Sequence, residues 1–447
     1  MRTNHWKLRN TILAVLMITI SLTVKAQTWD SLGGGTDKAI NTLYAFGNGL
    51  YAGGSFSLAG GQTAGRVAEW NGSNWQTVGS GISNAGVWSF ANYNSTLYVG
   101  GLFSQAGGIS INNIAELGQA GWEPLSSGTN LIVYAMVTYK DNLYAGGGFT
   151  KAGGNVAGYI AMWDGTTWST LINGTNGYVK SLQVWKDNLY VGGSFDSAGG
   201  ISAKGIAEWN GTKWSALGNG INGFVSFMAV YNDALYIGGN FSQASGISAN
   251  NIAEWDGKSW SGLETGTDNN VAAMVAFGGS LYIGGQFENA GGISANHIAV
   301  WNGSNWSAIG KGMNNNVLAL AVYNSSLYAG GQFDSADGYP ANHIAMLQQI
   351  PTEVKTINTT ASAISVYPNP NNGNFNVSMP LSAQGSKQNQ SYLELYNILG
   401  QEVYSTALIN TITQISLSSG EGASGIYIYR IMDDEGKQVS CGKMVIR

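Results

Sequence analysis

The hydrophobic pattern of this chain is short and repetitive. Apolar runs such as Leu50-Tyr51-Ala52 and Val67-Ala68 are interrupted every few residues by Gly, Asn, Ser or Asp. Runs of about four to eight residues bounded by turn formers predict β-strands, not helices. One segment, Leu-Tyr-x-Gly-Gly-x-Phe, recurs seven times, with its tyrosine at Tyr51, Tyr98, Tyr144, Tyr190, Tyr236, Tyr282 and Tyr328. The spacing is 46 residues with one step of 47. Each copy is followed by a glycine-bearing loop such as Ala59-Gly60-Gly61, an Ile/Val-Ala pair and, in most copies, two tryptophans around a short turn, as in Trp70-Asn71-Gly72-Ser73-Asn74-Trp75. Asn-Gly or Asp-Gly at Asn71, Asp164, Asn210, Asp256 and Asn302 supplies the positive φ angles of a tight hairpin.

Four strands per repeat follow. An inner strand ends near an aromatic (Phe46, Tyr93, Tyr139, Trp185, Tyr231, Phe277, Tyr323). The Leu-Tyr-x-Gly-Gly strand is second, the Ile-Ala strand third and the second-Trp strand fourth. A period of this length with four strands predicts the blades of a β-propeller. The second tryptophan falls at Trp75, Trp122, Trp168, Trp214, Trp260 and Trp306, six positions for seven copies, and position 352 in register is Thr352. Trp29, in Thr28-Trp29-Asp30-Ser31-Leu32-Gly33, stands 46 residues before Trp75. The N-terminal strand is therefore expected to complete the last blade and close the ring, which removes free sheet edges. The expectation is an all-β chain with a seven-bladed propeller over 27–350.

Arg2, Lys7 and Arg9, the apolar run Thr11 to Val24 and then Val24-Lys25-Ala26 have the order of a secretory signal peptide, assigned to 1–26. No later segment is long enough for a transmembrane helix. The 20 Lys and Arg against 25 Asp and Glu leave no basic surface for nucleic acid. Cys441 is the only cysteine, so an intramolecular disulfide is impossible.

The Gly-Gly and Trp pattern resembles that of Kelch-type propellers, a likeness of pattern that selects no activity. A polar stretch, 351–362, reads as a linker. Beyond it, 363–447 reads as a small β-sandwich of Ig-like type, with alternating apolar strands and Gly/Asn/Pro turns. Its blocks are Tyr367-Pro368-Asn369-Pro370 with Gly373, then Leu395-Tyr396-Asn397 with Gly400, then Gly425 and the terminal Lys443-Met444-Val445. Together they resemble the type A sorting domain of the type IX secretion system in Bacteroidetes. That resemblance implies partners in the secretion machinery and a sortase-like peptidase, and a destination on the cell surface or in the medium.

Candidate chemistry is sparse. His297 and His343 precede the Ile-Ala pair where other copies carry Arg66, Asn113, Tyr159, Gly205 and Asn251. Two histidines one repeat apart fit a shared metal, but the exchange of residue types reads as surface variation, so no metal or cofactor is expected. Glu69, Glu116, Glu208 and Glu254 are explained by repeat inheritance as well as by paired-carboxylate catalysis. Asp334, Asp337 and Gly338 lack the alternating spacing of a calcium loop. Asp30-Ser31-Leu32, Asp196-Ser197-Ala198 and Asp334-Ser335-Ala336 resemble the O-glycosylation triplet of exported Bacteroidetes proteins.

One polar position recurs in every copy: Asp37, Asn84, Asn130, Asn176, Asn222, Asp268 and Asn314. It reads either as an Asx turn at each blade junction or as a ring of oxygens near the channel mouth. With Arg66, Asn113, Tyr159, Asn251, His297 and His343, these residues form the candidate ligand face. The functional expectation is a non-catalytic recognition or adhesion module for a glycan or a surface protein. An exported polysaccharide lyase or glycoside hydrolase, or a passive surface protein, stays open.

Overall fold

The computed structural model describes residues 29–347, 364–369, 371–378, 391–397, 402–408, 412–417, 425–432 and 438–446. The signal-peptide assignment, the linker, Pro370 and Gly400 lie outside these residues. Every regular element among them is a strand. The chain divides into two compact units, Met1–Gln349 and Ile350–Arg447.

Among its described residues the first unit contains seven four-stranded antiparallel sheets. The first sheet is typical, with Ile40–Phe46 innermost, then Gly49–Gly54, Val67–Trp70 and Trp75–Thr77 outermost. The seven inner strands neighbour one another in a closed cycle, with Val317–Tyr323 of the seventh sheet against Ile40–Phe46 of the first. This arrangement is propeller-like. In the seventh sheet the outermost strand is Trp29–Ser31, and Trp29 stands opposite Leu347 where Trp70 stands opposite Trp75 in the first.

Two backbone features explain the repeated sequence. A Cβ on Gly53 would lie 2.4 Å from the Val87 side chain of the next inner strand, and one on Gly54 would lie 2.2 Å from the carbonyl of Ala39, the residue before its own inner strand. The first glycine thus lets neighbouring sheets approach, and the second lets the inner strand cross close beneath. The same contact closes the ring, where a Cβ on Gly330 would meet Ile40 at 2.7 Å. Each junction also carries one backbone hydrogen bond of the type Ile82 N to Gly65 O, and the closing one runs from Thr36 N to Asn342 O at 2.9 Å.

Tryptophans reinforce these junctions. Trp75, Trp168, Trp214, Trp260 and Trp306 each donate Nε1–H to a leucine carbonyl in the loop before the sheet they complete, for example Trp75 to Leu32 O at 3.2 Å. Five sheets also pair their two tryptophans, with ring centroids 5.0 to 5.5 Å apart. The Ala-Gly-Gly segments, expected as loops, form two-residue hairpins such as Leu58–Ala59 with Gln62–Thr63, because Gly60 and Gly61 take left-handed φ.

Among its described residues the second unit has a three-stranded sheet (Ser365–Tyr367, Asn374–Ser378, Ile412–Ser416) and a four-stranded sheet (Glu402–Leu408, Ser391–Asn397, Gly425–Met432, Gln438–Ile446). Both contribute to one core, with Phe375, Val377 and Ile415 from the first and Leu393, Leu395 and Met444 from the second.

Candidate functional site at the centre of the ring

Every inner strand carries a register shift immediately after its repeated Ile or Val. In the first sheet Ile40 faces Gly54 but Thr42 faces Gly53, so Asn41 is an extra, unpaired residue. The same shift leaves Trp88, Tyr134, Lys180, Ser226, Ala272 and Leu318 extra in the other six. A β-bulge re-aims the side chain of the residue it inserts. Here all seven bulge residues line one central cavity of about 700 Å³, together with later residues of the same inner strands. The bulge is flanked by repeated residues: Ile40 or valine precedes it in every unit. The bulge residue itself differs in all seven.

Trp88, Tyr134 and Lys180 occupy three consecutive inner strands and line one arc of the cavity. Burial pushes the Tyr134 hydroxyl above its ordinary pKa, with Tyr178 adding to the effect. Burial alone lowers that of Lys180. The Lys180 ammonium sits 4.1 Å over the Phe224 ring, and Tyr178 packs against Tyr159 at 5.8 Å. Phe224 also borders a polar cleft of about 720 Å³ lined by Asn222, Asn240, Asn250, Asn251, Thr267 and Asp268.

The recurring Asx position does not line the central cavity. In six units its Oδ1 accepts two backbone N–H groups at the start of the short hairpin, as Asp37 does from Ser57 and Leu58, both at 2.7 Å. Asn130, Asn176, Asn222, Asp268 and Asn314 repeat this. Asn84 has φ 74° and instead donates to Ser104 Oγ. Two of the seven, Asn222 and Asp268, reach the polar cleft.

Arg66, Asn113, Tyr159, Asn251, His297 and His343 share a left-handed backbone, with φ between 63° and 71°. Each gives its N–H to the repeated phenylalanine and accepts from the second glycine, as Arg66 does from Gly54 at 3.0 Å. Asn113 and Asn251 are buried, and their Nδ2 groups donate to Thr129 O and Thr267 O, both at 2.7 Å. Burial lowers the His343 pKa, partly offset by the Gly331 backbone, Asp334 and Asp37. Glu116, Glu208 and Glu254 each accept the tyrosine hydroxyl of the adjacent strand, Tyr98, Tyr190 and Tyr236. Interaction with Glu69 adds to burial in pushing Tyr51 up to about 12. Among the described residues no group of three or more His, Cys, Asp or Glu is placed to hold a metal.

In the second unit the distant sequence blocks meet. Asn369 donates Nδ2–H to Lys443 O at 2.7 Å and accepts from Val445 N at 2.9 Å, and Asn371 N donates to Val445 O. Leu395 stands opposite Tyr429, and Asn397 opposite Tyr427. Gly373 takes φ 91°, and Gly425 pairs with Ile446.

The molecule is thus an all-β chain with a propeller-like unit and a separate C-terminal β unit. Residues 365–447 match the family model of the secretion system C-terminal sorting domain, which marks the chain as type IX export cargo that engages that machinery on its way to the cell surface or the medium. No curated protein matches the sequence. Among solved structures, PorZ, a surface component of the type IX secretion system of Porphyromonas gingivalis, is 16% identical. That match has a TM-score of 0.49 and covers 94% of this chain and 60% of PorZ. The extracellular domain of BT4673 from B. thetaiotaomicron is 13% identical at a TM-score of 0.46, covering 94% of this chain and 59% of its own. The computationally designed Ika8 protein is 13% identical at 0.45, covering 72% of this chain and 100% of its own. The chain therefore spans about three fifths of the length of the two natural proteins. No helix among the described residues is long and apolar enough to cross a membrane.

Proposed function

We propose that this protein is an exported recognition module: a seven-bladed, Kelch-like propeller that binds a glycan without chemical turnover, carried by an Ig-like sorting domain. The reading rests on one observation. Seven equivalent bulges line a single cavity, and three consecutive ones carry Trp88, Tyr134 and Lys180. Flat aromatic faces beside polar groups in a concave site suit a sugar ring, which is apolar on its C–H face and polar at its edge. The non-catalytic part is supported by where the carboxylates are. Glu116, Glu208 and Glu254 are held by tyrosines between strands, and among the described residues Lys180 is the only charged one lining the cavity.

The test is a glycan array probed with the full chain and with Trp88→Ala and Tyr134→Ala, alongside product assays on every glycan bound. Saturable binding without product, weakened roughly tenfold by either substitution, about 1.4 kcal/mol, is the expected result. Product release contradicts the non-catalytic reading. Undiminished binding by both variants contradicts the cavity as the site.

A further inference from the structure

We infer that the sugar taken by the central cavity is anionic, its carboxylate or sulfate pairing with the Lys180 ammonium; this rests on the recognition reading above. The charge balance of the cavity carries the inference. Its lining comes from the inner strands of all seven sheets, yet among the described residues it includes one charged residue, Lys180, and no carboxylate. The one salt bridge among the described residues joins Lys186 to Asp233 and leaves Lys180 out. The lowered pKa of Lys180 has burial as its cause and no opposing carboxylate.

Placing a cation in a partly dehydrated cavity without a counter-ion costs free energy that an incoming anion recovers. The ammonium is not idle, since it lies 4.1 Å over the Phe224 ring, but a ring face satisfies one side of it and leaves its remaining N–H donors for a ligand. The position is a β-bulge that six other units fill with neutral residues, among them Ser226, Ala272 and Leu318, so neither the strand nor the junction requires a lysine there. Trp88 and Tyr134 on the two preceding strands then hold the ring while Lys180 reads its charge. A half-dehydrated ion pair of this kind is stronger than one in bulk water and still weakens as salt is added.

The experiment compares the full chain and its Lys180→Gln and Lys180→Arg variants by calorimetric titration with three probes. These are trigalacturonate, its fully methyl-esterified form and a sulfated galactan trisaccharide. The wild-type protein is expected to bind at least one anionic probe about tenfold or more tightly than the neutral ester, with Lys180→Gln removing the difference and Lys180→Arg keeping it. Which of the two anionic probes binds distinguishes carboxylate from sulfate. Equal binding of ester and anionic probes, or an unchanged preference in Lys180→Gln, overturns the inference and leaves sugar recognition standing. Failure of all three probes, on a protein whose array shows neutral glycans bound, overturns it too. An array with no glycan bound brings down the recognition reading as well. Matching melting curves for the three proteins establish that charge, not folding, was changed.

Discussion

Trp29→Ala tests ring closure at a single side chain. Trp29 is 3% exposed and packs in the core shared by the sixth and seventh sheets, among Leu347, Ile309 and Met313. Its strand contributes three paired residues, Trp29 with Leu347, Asp30 with Met346 and Ser31 with Ala345. Truncating a buried tryptophan to alanine costs about 3–5 kcal/mol. At an unfolding entropy of about 2.1 cal/mol/K per residue over about 320 residues, a loss of about 4 kcal/mol lowers the midpoint by about 6 °C. Scanning calorimetry of the full chain reads this in the larger transition. Val156→Ala, at an exposed hairpin position, serves as the control, with a change of less than about 0.5 kcal/mol. Loosening of the terminal strand also bares the edge of Ile344–Leu347, so size-exclusion chromatography is expected to show self-association. A Trp29→Ala midpoint within the error of the control would mean that the Trp29 side chain contributes nothing to closure, contrary to this expectation.

Other outcomes follow from the same geometry. Gly53→Ala forces a methyl to within 2.4 Å of Val87, and overpacking at that junction is expected to cost about 1–3 kcal/mol in chemical denaturation. Asn113→Ala strands the Thr129 carbonyl and the Phe103 N–H that its side chain satisfies, so a loss of about 1–3 kcal/mol is expected by the same measurement. The His343 pKa is depressed in the folded protein, so the unfolded chain binds the proton more readily. Its contribution is whole above the ordinary histidine pKa and is lost as pH falls through that value toward the folded one, and His343→Asn is expected to flatten this acid-side decline in melting temperature.

Much of the fold is legible in the residues. The Leu-Tyr-x-Gly-Gly-x-Phe spacing marks the second strands, the aromatic at Phe46 and its equivalents ends each inner strand, and the tryptophan count assigns Trp29 to the seventh sheet. The centre of the ring is less legible. Strand alternation assigns faces by parity, and one inserted residue per inner strand changes that parity without leaving a turn former as a marker. A signal was nonetheless present. Between the apolar residue at Ile40, Val87, Val133 and their equivalents and the rest of the strand stands one position that never repeats. The recurring Asx residues are conspicuous for the opposite reason, since polar residues repeated in every unit serve what every unit needs, here the anchoring of a hairpin. Asn113 and Asn251 look like surface variation in sequence, but left-handed backbone and burial turn their amides inward.

Recognition in the central cavity is tested most directly by a crystal structure of the full chain with a glycan selected on the array. The sugar is expected inside the central cavity, its ring against Trp88 or Tyr134 and its edge toward Lys180. A sugar bound on the outer rim or on the C-terminal unit, with the cavity empty, would contradict it.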